Sequence, residues 1–144
     1  MSETVQKPPT LVQLVWEHDL VLSGRAGDRP ISLDSDSGEA PSPMQALAAA
    51  LAGCMAIDVI HILKKGRHDL RGVKADLAGH RAPEVPRRFT RIELKYTING
   101  DIEDEAVARA IQLSREKYCS VWQSMRQDIE FHVSFSVERS SPAA

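Results

Sequence analysis

Cys54 and Cys119 are the only thiols in this 144-residue chain, and they are the residues whose chemistry is most specific. A thiolate cleaves a peroxide O–O bond and becomes a sulfenic acid; a second thiol condenses with it to a disulfide, which an external reductant reopens. Two cysteines far apart in sequence serve that cycle only if the fold brings them together, and otherwise they are small apolar fillers. Local context ranks them in one order. Cys54 sits among Ala, Leu, Met and Ile, which raises a thiol pKa, whereas Cys119 precedes a possible helix start, which lowers it. Asp58 and His61 follow Cys54 by four and seven residues, on roughly the same helical face. Such a face could hold a metal or let the histidine activate the thiol; alternatively Asp58 accepts a structural hydrogen bond and His61 fills a polar edge of the core or an interface. With no second Cys or His at ligand spacing in that segment, the sequence assigns no metal. An anionic Asp58 would also disfavour a Cys54 thiolate. His18, His68, His80 and His132 show no recurrent spacing and receive no role.

Composition narrows the classes. At 42% hydrophobic and net charge −2, the chain can bury a core and carries no strong bias toward nucleic acid or a membrane surface. No glycine-rich phosphate loop, basic stripe with aromatics or internal repeat is found. The start, MSETVQKPP, lacks a basic-then-apolar design, so the expectation is a protein kept in a reducing cytoplasm, where two cysteines are not a disulfide scaffold. The domain reading is a flexible arm over 1–9, one domain over 10–138 and a flexible tail over 139–144.

The elements follow from punctuation and periodicity. Ser42 and Pro43 open a helix, Lys64 and Lys65 suit its last turn, and Gly66 supplies a left-handed close. Between them the residues are apolar on all faces for about four turns, the pattern of a central helix surrounded by protein. Asp58 and His61 stop the apolar run short of the ~20 residues that a bilayer span needs. Before it, Thr10–Trp16, His18–Ser23 and Ile31–Asp34 read as short strands, with Gly24–Pro30 as turn. After it, Leu70 to Arg81 and Phe89 to Ile98 alternate as a long hairpin around the Ala82–Arg87 loop, and Asn99-Gly100 stops the second strand. Asp101 to Asp104 opens an amphipathic helix with Val107, Ala110, Ile111, Ser114 and Tyr118 on one stripe; Ser120 caps a short helix over Val121–Gln127, and Asp128–Glu138 closes as a strand. The order β-β-β-α-β-β-α-α-β is an α+β fold with antiparallel sheets. A helix apolar all round needs cover on every side, which a homodimer pairing two such helices would supply.

The segment S-P-M-x-A-L-x-A-A-L-A-G-C-x-A-I-D-V-x-x-I-L-K-K, followed by F-T-R-I-E-L in a hairpin and by K-Y-C-S-V at the end of a helix, resembles the OsmC/Ohr superfamily, and more narrowly its YhfA-like branch. The resemblance spans roughly Leu11 to Glu138. It implies an intertwined homodimer whose antiparallel sheets wrap two long central helices, with a cysteine site near the subunit boundary. It also implies reduction of organic hydroperoxides in oxidative or osmotic stress defence, using an external thiol or dithiol and no bound cofactor. By the family's assignment Cys54 attacks and Cys119 resolves, the reverse of the local ranking. Arg25, in S-G-R-A-G, matches the arginine that stabilises the thiolate in the Ohr branch; Arg29 is the alternative, and either could equally be a solvated turn residue. Where Ohr and OsmC proper carry a glutamate that orients this arginine, Met44 stands here, beside neutral Gln45. Met44, Met55 and Trp122 are the side chains expected to line an apolar substrate site, although Trp122 equally suits packing of the short helix. The second function compatible with this scaffold is a non-enzymatic dimer that holds a small hydrophobic ligand while its cysteines stay reduced.

Overall fold

The structure is a computed structural model that describes residues 5–36 and 38–139. The expected arm and tail lie partly outside them, at 1–4 and 140–144. Strands β1 (Val12–His18), β2 (Val21–Ala26) and β3 (Arg29–Asp34) form one sheet; helix α1 (Pro43–Lys65) follows; then β4 (Asp69–Arg81), β5 (Phe89–Asp101), α2 (Asp104–Leu113), a π-helical turn (Ser114–Tyr118), α3 (Ser120–Gln123) and β6 (Glu130–Glu138). The α+β order is the one expected from the sequence. The chain divides into two compact units, one up to Leu47 and one from Ala48.

In the first unit the sheet order is β1-β2-β3, antiparallel throughout. The first hairpin turns at Asp19-Leu20, so His18 belongs to β1 and pairs with Val21. The Gly24–Pro30 stretch is mostly strand: β2 runs through Arg25 and Ala26, and only Gly27 and Asp28 turn, with Gly27 at φ +60°. Gly24 is required because a Cβ there would stand 1.7 Å from the Gln13 carbonyl oxygen. The turn residues that suggested a loop therefore serve close strand packing. At the start of α1, the Gln45 amide donates to Ser42 Oγ at 3.1 Å and the Ser42 amide to Gln45 Oε1 at 2.9 Å, a reciprocal cap.

The second unit carries the remainder of α1 and the sheet β4-β5-β6. Ile92, Leu94, Tyr96 and Ile98 of β5 alternate inward and are at most 1% exposed. The β5 strand continues through Asn99-Gly100 to Asp101, because β4 accommodates the pair with a bulge between Leu70 and Gly72. The β5–β6 pairing is parallel, which corrects the expectation of purely antiparallel sheets. The helical segment between those strands carries the chain back to the same end of the sheet, as a parallel partner requires.

On α1 the buried stripe is Leu51, Met55, Val59 and Leu63, one residue per turn. The Tyr96 hydroxyl donates to the Ala52 carbonyl at 2.8 Å and ties the helix to β5. On the opposite face Ile57 is 68% exposed. By length and composition alone α1 could cross a bilayer, contrary to the expectation that Asp58 and His61 cut it short. The core stripe and the hydrogen bond to β5 mark it as the core helix of a folded unit. The left-handed residue after it is Arg67, at φ 60°, and not Gly66.

Candidate functional site

Cys54 and Asp58 lie one turn apart on α1, each half-buried. Cys119 arrives from the far end of the second helical segment. There the ladder widens by one residue, so that the Cys119 amide donates to the Ser114 carbonyl at 2.7 Å. Cys119 itself is extended, fully buried and caps α3, its Sγ accepting from the Trp122 amide at 3.4 Å. Ser120, expected as the cap, is the first helical residue instead.

The result is a convergence that no single segment announces. The two sulfurs and a carboxylate oxygen of Asp58 all lie within 4.8 Å of one another, and both thiols are free. Ser114, fully buried, donates from Oγ to Asp58 Oδ2 at 2.8 Å. Two thiols this close are a candidate disulfide pair, and a carboxylate beside them can take up or return a proton.

Burial pushes the Cys119 thiol up to about 11, outweighing the Trp122 amide that favours its thiolate; the neighbouring Cys54 adds to the rise. The lowered value expected from a helix start is therefore reversed. A four-residue helix contributes little, and the thiol is removed from water. Tyr96 is held well above the ordinary tyrosine value, chiefly by burial, with Cys119, Asp58 and Cys54 adding to the rise, so its ring belongs to the same cluster.

The other sequence candidates are placed differently. Arg25 is exposed on β2, paired across the sheet with Gln13 and Pro30, and Arg29 opens β3; both belong to the first unit, as does Met44. Met55 is fully buried within the α1 core stripe. Trp122 is 4% exposed and stacks on Phe131 with ring centroids 4.5 Å apart. His61 lines a recess of ≈ 490 Å³ together with Asp58, Ile62, Lys65, Leu113 and Tyr118. Gly53 faces open space: apart from its own turn of helix, no described residue comes within 4 Å of where a Cβ would stand. Sequence reasoning finds neither Ser114 nor Tyr96 as part of the site. The available signal was a serine on an otherwise apolar helical stripe.

With this geometry in place, the family follows from comparison. A model of the OsmC-like protein family matches residues 36–134, a span that contains Cys54, Asp58, Ser114 and Cys119. The chain belongs to the OsmC family. Protein YhfA of Escherichia coli K12 is 42% identical over 125 residues, covering 85% of this chain and 93% of that protein. The crystal structure of a protein from Aquifex aeolicus VF5 superposes with TM-score 0.87 at 28% identity, over 94% of this chain and all of that one. An organic hydroperoxide resistance protein OsmC from Legionella pneumophila shares the fold at TM-score 0.69 and 18% identity, over 92% of this OsmC-family chain and all of its own.

Proposed function

We propose that this OsmC-family protein is a cysteine-based, thiol-dependent peroxidase that reduces organic hydroperoxides. One observation carries the reading: two reduced sulfurs lie within 4.8 Å of each other, one half-exposed on α1 and one fully buried behind it. A hydroperoxide reaches Cys54 first. The Cys54 thiolate takes the terminal oxygen, the O–O bond breaks, and the alkoxide leaves and collects a proton as the alcohol. Cys119 then attacks the sulfenic sulfur, with Asp58 placed to receive its proton and return it to the departing oxygen, so that water and a Cys54–Cys119 disulfide result. An external thiol or dithiol reduces the disulfide, and no bound cofactor enters the cycle. Arg25 is assigned the family role of stabilising the thiolate.

The working unit on this reading is a homodimer in a reducing, cytoplasmic compartment. Support comes from uncovered apolar side chains: Ile57 on α1 is 68% exposed, and Trp16 and Val12 of the first sheet are 71% and 57% exposed. A second reading, a dimeric binder of a small hydrophobic ligand with inert thiols, is favoured by the recess that Ile62 and Leu113 line beside Asp58.

The deciding experiment is the mass of the reduced protein after one equivalent of cumene hydroperoxide, with peptide mapping. Loss of two hydrogens, mapped to a Cys54–Cys119 bridge and formed within seconds, is the expected result. Unchanged mass after many minutes overturns the peroxidase reading and leaves the binder.

A further inference from the structure

We propose that the reduced protein binds a thiophilic divalent cation, Zn²⁺ in class, through Cys54, Cys119 and Asp58. The observation is the convergence itself: two sulfur donors and one carboxylate oxygen within 4.8 Å of one another, all at least half-buried. In a tetrahedral zinc site the metal stands about 2.3 Å from sulfur and about 2.0 Å from oxygen, which puts neighbouring donors about 3.5–3.8 Å apart. Closing the present cluster to that size takes shifts of about an ångström, within reach of χ1 adjustments.

The donor set selects the cation. Thiolates favour zinc and its softer neighbours, while magnesium and calcium require oxygen donors throughout. The second layer is also present. Ser114 Oγ donates to Asp58 Oδ2 at 2.8 Å, orienting the carboxylate and leaving its other oxygen for the metal. Three protein ligands leave a fourth position for water, and Asp58 also lines the ≈ 490 Å³ recess, through which an ion could reach it from solvent.

The sequence alone points away from this site, because α1 offers a single cysteine at ligand spacing; the fold supplies the second from beyond the π-helical turn. Binding replaces two thiol protons with one cation and releases two protons per metal. The inference does not depend on the peroxidase reading, since it concerns only the reduced state. It does set a relation to it: the same sulfurs cannot ligate once they form a disulfide, so oxidation by a hydroperoxide would release the cation.

The test is anaerobic titration of reduced, metal-free, full-length protein with Co²⁺, followed by Zn²⁺. The expected result is a near-ultraviolet thiolate-to-cobalt band that saturates at one cobalt per chain and is bleached by zinc. Asp58→Asn, close in shape, should keep the band but weaken affinity by more than the ~10-fold that loss of a ligand's outer partner costs. Cys119→Ser should lose much of the intensity, and protein oxidised with diamide should show none. His132→Ala, exposed on β6 and outside the donor set, should titrate as the parent does. Absence of the band at saturating cobalt overturns the proposal, as does a band that is undiminished in Cys119→Ser or an unchanged affinity in Asp58→Asn. Circular dichroism of each variant separates lost ligation from lost fold.

Discussion

Cys119 is the residue whose behaviour the structure determines most sharply. Burial raises its thiol from the ordinary value of 9.0 to about 11. Between those values the folded protein keeps a proton that the unfolded chain has lost, so stability is fully present below about pH 9 and declines as pH rises toward about 11. Comparing urea unfolding of the parent and Cys119→Ala across that window, with a chelator present, isolates the effect: the parent's midpoint should fall more steeply with pH, and parallel curves would refute the assignment. That chemistry was legible in part. The sequence located both sulfurs and their spacing, and it identified the helix start beside Cys119. It could not weigh that start against burial, because the thiol's surroundings include Cys54 on α1 and Tyr96 on β5, which only the fold brings to it.

At the scale of elements, the site rests on the π-helical turn. Continuing α2 with ordinary geometry would rotate the chain by about a quarter-turn for the displaced residue, and Ser114 and Cys119 would not both face α1. Ser114→Ala removes the hydroxyl that donates to Asp58 at 2.8 Å from a fully buried position. It should cost about 1–2 kcal/mol in chemical denaturation, whereas Ser120→Ala, exposed at the start of α3, should cost little. Equal losses in the two variants would mean that the Ser114–Asp58 bond adds nothing special. Periodicity could not find the turn, since Ser114 and Tyr118 continue the three-and-four stripe of α2 whether the ladder is α or π. The parallel β6 was hidden for a related reason. Alternation in Phe131 to Val137 specifies a half-buried strand but not the direction of the neighbour it joins. Arg25 was read as a turn residue because Gly, Asp and Pro crowd around it, yet the glycine before it serves the close approach of Gln13.

For the whole molecule, the question is what covers α1. Its four inward residues, Leu51, Met55, Val59 and Leu63, satisfy one face, and the sequence already required cover on the others. Ile57 is uncovered on the second unit's helix, next to the turn that carries Cys54. Burying a side chain of that size is worth about 1.5–3 kcal/mol per copy, and a two-fold axis counts it twice. Light scattering on the purified protein should therefore give twice the chain mass, independent of salt because the contact is apolar. Ile57→Lys places a charge where the partner would sit and should shift the population to monomer at micromolar concentration, while Lys74→Ala, exposed on β4, should leave the dimer intact. Peroxide-driven closure of the Cys54–Cys119 bridge can be followed in the same samples. Both sulfurs come from one chain, so if the monomeric variant keeps its fold the bridge should still form. Slower closure there would mean that the partner shapes the entrance to Cys54; unchanged closure would confine the dimer's role to stability.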